Sequence, residues 1–277
     1  MRGVICLSLL VGCSSEKVGG LALGPPGGGP DSAEPDSGEG EGEGEGEGEG
    51  EGEGDTGPDP DDDGSTPVGI DVSHWNGDID WTDVAASGVR FSFAKVSEGT
   101  YYAADEFASQ DAGAAAAGLL HGGYHFAIPD DSSGAEQAWF FVDSGGDWTD
   151  DGSTLPGVLD IEYNPYGDTC YDLSQSEMEA WVQDFLDEYK ALTGRAAIIY
   201  TNANWWNNCV GSSSIGASAP LWVAHWDTDS PTLPSGWTDW VFWQYTSEGS
   251  VSGISGDTDM NLYNGTITEL RDYAEGR

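Results

Sequence analysis

From residue 68 onward the chain alternates short apolar runs with stretches of helical period, and residues 14–66 show neither. Short runs rich in β-branched and aromatic residues predict strands over 68–72, 91–96, 122–126, 158–161, 196–200, 221–225 and 241–245. Apolar positions at helical spacing predict helices over 81–86, 105–117, 135–142, 174–192 and 266–274. The longest helix is also the best punctuated, with Ser174 as N-cap, Glu177 at the capping-box position and Gly194 just past its end. Strand–helix–strand alternation calls for parallel pairing with right-handed crossovers. Around eight such strands in about 200 residues predict an α/β fold. The expected form is an irregular (β/α) barrel, TIM-barrel-like with reduced helices in the C-terminal part. Its site should lie at the strand C-terminal ends.

Composition changes the picture at the N-terminal end. Residues 14–66 are nearly all Gly, Pro, Ser, Asp and Glu, and residues 39–54 are Glu-Gly repeated eight times. Glycine maximises chain freedom and Glu repels Glu, so this stretch reads as a disordered, extended linker. Its acidic run at 59–63 lacks the full spacing of a calcium loop. Residues 1–13 read as an export signal: Arg2 is followed by a mostly apolar run, and Leu10-Val11-Gly12-Cys13 resembles the lipobox of bacterial lipoproteins. That resemblance implies a lipid on the Cys13 thiol. The alternative is cleavage elsewhere and a secreted protein. The chain therefore divides into a signal (1–13), a linker (14–66) and a globular domain (68–277).

The formal net charge is −42. Residues 14–66 carry 17 acids against the single base Lys17, and residues 68–277 carry 33 acids against six bases. Phosphate binding needs basic patches, so nucleic acid is excluded as a partner. Charge-driven adsorption on anionic lipid is excluded likewise. No apolar run is long enough to span a bilayer, so a membrane would be reached only through the N-terminal lipid.

Candidate chemistry centres on Val158-Leu159-Asp160-Ile161-Glu162-Tyr163. Along a strand, residues i and i+2 share a face, which sets the Cα atoms of Asp160 and Glu162 roughly 6.6 Å apart. Two carboxylates that close resist joint ionisation, so their pKa values should split. Such a pair suits glycosidic bond cleavage, one acid donating a proton while the other stabilises positive charge on the sugar. The alternative is a strand end with two solvated acids. Other strand ends carry Asp71, Lys95 (leading to Glu98), Tyr124 and His125, Tyr200, His225 and Trp226, Gln244 and Tyr245, then Asp257 and Asp259. Each has a bland reading: His74 and His125 as core or surface histidines, Trp75 and Trp226 as core, Asp257 as a turn residue.

Six motifs in order carry a resemblance. They begin with Gly69-Ile-Asp-Val-Ser-His-Trp75, Phe93-Ala-Lys-Val-Ser-Glu-Gly99 and Gly123-Tyr-His-Phe126. Leu159-Asp-Ile-Glu162, Leu221-Trp-Val-Ala224 and Trp243-Gln-Tyr-Thr-Ser247 with Thr258-Asp-Met-Asn261 complete the set. Together they resemble glycoside hydrolase family 25, the Chalaropsis-type lysozymes, over about residues 68–265. The resemblance implies an irregular β/α barrel that cleaves the β-1,4 bond after N-acetylmuramic acid in peptidoglycan, without a cofactor or metal. It implies Glu162 as general acid and Asp160 as the acid that assists the substrate acetamido group or stabilises the oxocarbenium ion. Asp71 and Asp259 match the other two acids. Tyr124, Trp226 and Tyr245 fall at site aromatic positions, and Trp75, Lys95 and Tyr200 are further candidate substrate contacts. Asn76 stands where the family often has Gln, and His225-Trp226 varies the usual end of its strand.

Of four cysteines, Cys6 lies in the signal and Cys13 is the lipid candidate. Cys170 and Cys209 follow the fourth and fifth predicted strands, on loops expected to be neighbours, and in an oxidising compartment should form a disulfide. The primary expectation is an exported, envelope-anchored or secreted muramidase that acts as a monomer on peptidoglycan glycan strands. A catalytically silent glycan-binding lipoprotein and a chitinase-like glycosidase are the alternatives.

Overall fold

The apolar runs become strands and the 3.6-period stretches become helices in the computed structural model, which describes residues 64–277. The signal, Cys13 and the linker up to residue 63 lie outside the described residues. In chain order the elements begin β1 (Val68–Val72), α1 (Trp81–Ala86), β2 (Val89–Glu98), β3 (Tyr102–Ala103) and α2 (Phe107–Ala116). Next come β4 (Leu120–Phe126), α3 (Gly134–Phe141), β5 (Val158–Asp160), α4 (Gln175–Thr193) and β6 (Ile198–Thr201). The last are α5 (Ala203–Cys209), β7 (Leu221–Ala224), β8 (Phe242–Gly249), β9 (Thr258–Tyr263) and α6 (Ile267–Ala274). β1 pairs with both β2 and β9, which closes the sheet into an eight-stranded barrel with β3 left as a short hairpin on β2.

Seven strands run parallel, but β9 is antiparallel to both β8 and β1. This corrects the expectation of parallel pairing throughout. Residues 250–257 are too few for a parallel crossover, which takes a dozen or more, so the chain can only turn back. No α-helix separates β7 from β8 or β8 from β9, so the C-terminal half has the expected shortage of helices.

Alternation along the strands sorts two cores. Phe91, Phe93, Val158, Ile198, Trp222 and Phe242 fill the barrel interior. The next residues in sequence, such as Leu159, Ile199, Val223 and Trp243, belong to an outer core that also takes in residues of α3, α4 and α5. A Cβ at Gly69 would fall inside the Phe91 ring, so the glycine is what lets that ring fill the barrel. Helix α4 has the predicted caps: Ser174 and Glu177 form the capping box, and Gly194 takes the left-handed conformation. Its buried positions, Met178, Trp181, Val182, Phe185 and Tyr189, recur at the i+3/i+4 spacing that faces the barrel. Each large apolar side chain so buried contributes about 1.5–3 kcal/mol.

Cys170 and Cys209 are disulfide-bonded, with Cα atoms 5.3 Å apart. Cys209 is not on a loop as expected but is the last residue of α5, a short helix with no clear periodic signal, capped by Asn202.

Candidate active site

Because inward and outward residues alternate, inward positions near the C-terminal ends of the parallel strands, and near the start of the antiparallel β9, point into the barrel mouth. These positions are Asp71 on β1, Lys95 on β2, Tyr124 on β4, Asp160 on β5, Tyr200 on β6, Gln244 on β8 and Asp259 on β9. The registers bring them side by side: Asp71 faces Asp259, Lys95 faces Tyr124, and Asp160 faces Tyr200. β5 ends at Asp160, yet the Ile161 N–H still donates to the Tyr200 carbonyl at 3.0 Å. The chain therefore stays extended toward Glu162, which is half-buried just beyond the strand end.

One polar network fixes Asp71. Its Oδ2 accepts from Gln244 Nε2 at 3.0 Å and from Asn261 Nδ2 at 2.8 Å. Gln244 Oε1 in turn accepts from the Tyr200 hydroxyl (2.9 Å) and from Trp226 Nε1 (3.0 Å), and Asn261 Oδ1 accepts from Trp222 Nε1 (2.8 Å). Asp160 differs: its Oδ1 is buried and has no hydrogen-bond partner among the described residues.

All four carboxyls are held above the usual carboxylate range, and burial is the main cause at each. Asp71 is pushed up to about 6, against the pull of its two amide donors. Glu162 rises to about 7, with the Asp71 charge adding and Lys95 opposing. Asp259 rises to about 8, with Asp71 and Glu162 adding. Asp160 is raised well above its ordinary value by burial and then by the Glu162 charge, with Lys95 opposing. Crowding within the Asp160–Glu162 pair would lift one member; desolvation lifts all four. Such a cluster costs stability once the unfolded chain can ionise freely. For Asp259 the cost is absent below pH ~4, grows as pH rises, and is complete only above its folded value of about 8. Asp259→Asn should therefore raise Tm at pH 8 by about 2–8 °C, on the order of 1–2 kcal/mol, and leave it unchanged at pH 4. Equal shifts at both pH values in a thermal melt would remove this account.

The other predicted residues divide. Lys95 is committed to an ion pair with Glu98 at 2.5 Å, and its Nζ sits over the Phe126 ring at 5.0 Å. Tyr200 is buried with its hydroxyl engaged, so it floors the site. Trp226 and Trp75 stand at the rim, 48% and 81% exposed. Tyr245 donates to Met260 Sδ at 3.5 Å and lines an open groove with Asp227 and Asp229. Asp257 is exposed in the turn before β9. His125 faces outward and is fully buried, stacked on Phe185. Its Nε2–H donates to Gln137 Oε1 and its Nδ1 accepts from the Ser97 hydroxyl, each at 2.9 Å, so it is a satisfied core histidine. Burial pushes it down to about 4.

Asn261 was not a sequence candidate. Reading 258–263 as a strand would have found it, since it lies two residues past Asp259 and shares its face. Tyr101 and Tyr166 also escaped notice, because they sit on loops without periodicity.

Residues 70–254 match the family described as glycosyl hydrolases family 25. The chain belongs to that family. The family 25 chain is 50% identical to Lysozyme M1 of Streptomyces globisporus over 203 residues, 73% of this chain and 69% of that one. It is 38% identical over 216 residues to the N,O-diacetylmuramidase of Chalaropsis sp, covering 76% of this chain and all of that one. Among solved structures, the bacterial lysozyme from Streptomyces coelicolor aligns with a TM-score of 0.75 at 48% identity, over 77% of this chain and 99% of that one. This protein is accordingly a family 25 glycosyl hydrolase of the lysozyme type. Neither the silent glycan-binding reading nor the chitinase-like one is favoured.

Proposed function

We propose that the protein cleaves the β-1,4 bond between N-acetylmuramic acid and N-acetylglucosamine in peptidoglycan, with Glu162 as general acid. The Glu162 proton passes to the glycosidic oxygen, the C–O bond breaks, and positive charge develops on the muramic ring; water then bonds to the anomeric carbon and gives its proton back to the Glu162 carboxylate. Asp160 receives the acetamido group or stabilises that charge; Asp71 and Asp259 hold the site's charge and hydrogen bonds. The observation that carries this reading is Asp160 Oδ1, a buried acceptor without a partner beside a carboxyl poised near neutrality. By the protein's own groups, burial raises both Asp160 and Glu162. An acetamido N–H on Oδ1 and a cationic sugar both favour ionised Asp160, which leaves the pair's proton on Glu162. Trp75, Trp226, Tyr124 and Tyr245 would contact the sugars. Digestion of purified peptidoglycan, with new reducing ends identified by mass spectrometry, tests the bond. Muramic acid ends are expected; glucosamine ends, or none, would overturn the assignment.

Export and anchoring form the second part of the reading. Among the described residues no helix is long and apolar enough to cross a membrane. The lipobox-like Leu10-Val11-Gly12-Cys13 motif supports acylation of Cys13, with residues 14–66 as tether and the domain acting as a monomer. Cys13→Ser should move the protein from the membrane to the soluble fraction. Identical fractionation of variant and wild type would sink the anchor, and light scattering at twice 29.2 kDa would sink the monomer.

A further inference from the structure

Five large side chains exposed at the surface, Trp75, Tyr101, Tyr163, Tyr166 and Trp226, lie on segments that follow strand C-terminal ends. Two of them are tethered in an unusual way. The hydroxyls of Tyr101 and Tyr166 both donate to the same oxygen, Glu98 Oε1, at 3.0 and 2.5 Å. The other oxygen of Glu98 accepts from Lys95 Nζ at 2.5 Å. Glu98 is 7% exposed, whereas each tyrosine is 58% exposed. A buried carboxylate thus fixes two phenols by their tips and leaves ring surface to solvent.

The rings come from separate loops, and each loop is braced. Tyr101 sits at the turn between β2 and β3. Gly99 there has φ 51°, and a Cβ on it would lie 2.6 Å from the Tyr101 ring. The N–H and hydroxyl of Thr100 both donate to Asp131 Oδ2, at 3.1 and 2.8 Å, which ties this turn to the loop after β4. Tyr166 lies on the loop after β5, where its N–H donates to Asn164 Oδ1 at 2.8 Å, and the Cys170–Cys209 bridge closes the same loop. Core packing does not explain this arrangement, because rings this exposed bury little apolar area. Ordering them costs rotamer entropy, and burying a charge to hold them costs desolvation. A pre-organised ring surface does explain it: less entropy is lost when a ligand arrives. The tether is linked to the acid cluster through Lys95, which pairs with Glu98 and whose charge also acts on Asp160 and Glu162.

We propose that Tyr101 and Tyr166, positioned by Glu98, form a clamp that stacks on a pyranose ring of the glycan strand beyond the scissile pair. This rests on the muramidase reading. The flat C–H face of a pyranose matches an aromatic surface whose polar edge is already engaged. The test uses the full-length protein and peptide-free glycan strands. The double variant Tyr101→Ala/Tyr166→Ala should raise KM about tenfold, with the loss in KM rather than kcat. Tyr101→Phe/Tyr166→Phe keeps the rings and cuts the tether, and should fall between it and wild type. Trp139→Ala, an exposed aromatic on α3, serves as the control that should change nothing. Unchanged KM in the alanine pair would overturn the clamp. So would a KM rise confined to peptide-bearing peptidoglycan, which would make the stem peptide the occupant. Calorimetry of the same strands with the same variants reports the clamp without turnover. A wild type that binds but does not cleave, with binding weakened about tenfold by the alanine pair, would keep the clamp and reject the catalytic reading; unweakened binding would reject the clamp.

Discussion

Glu162→Gln is expected to lower the rate of glycan cleavage by 10²–10⁴-fold, the usual worth of general acid catalysis, and to leave glycan binding in place. Glutamine keeps the shape and most hydrogen bonds of the half-buried side chain but has no proton to give the leaving oxygen. Relieving one raised carboxyl also removes part of the cluster's repulsion, so the variant should melt no lower than wild type at pH 8. Asp160→Asn should lose most activity too. The double variant should lose less than the product of the two, because the pair acts as a unit. The pH–rate profile should be bell-shaped, with limbs that belong to the coupled cluster and not to single residues. The alkaline limb should lie above the ordinary carboxylate range, because burial raises every member of the cluster. Reducing-end release by the three variants across pH decides the matter. A correctly folded Glu162→Gln enzyme with wild-type rates would take the proton donor away from this residue.

The second large effect concerns the disulfide. Removing it as Cys170→Ser/Cys209→Ser should cost about 4 kcal/mol, since the bridge closes a loop between residues 39 apart in sequence. For a domain of this size that corresponds to a Tm lower by roughly 8–16 °C. Glu162, Tyr163 and Tyr166 lie on the segment just before Cys170, which the bridge pins to the end of α5. Trp205 Nε1 also donates to the Thr169 carbonyl at 2.9 Å, so the bridge is not that segment's sole anchor. The double-serine variant should therefore remain active at low temperature and lose activity first on warming. A melt within 2 °C of wild type, with no free thiols in the parent protein, would mean that these packing contacts and not the cross-link hold the loop.

What the residues themselves determined is local. Period-2 alternation put Asp160 and Glu162 on the interior face. The Ser174–Glu177 box and Gly194 bounded α4, because a capping hydrogen bond spans only three residues. The six ordered motifs named the family and the four acids. What only the closed barrel decided depends on groups distant in sequence. Asp71 is held by Gln244 and Asn261, 173 and 190 positions away, and Tyr166 reaches Glu98 across 68. No periodicity encodes such partners; Asp71 meets its two amides because β1 closes on β9, and Tyr166 meets Glu98 because β4 brings β5 beside β2. β9 was not among the predicted strands, and its antiparallel place between β8 and β1 is visible only in the closed barrel. Nor could spacing tell how far each carboxyl is raised. A pKa depends first on water excluded by the whole barrel mouth, and that exclusion exists only once all eight strands are in place.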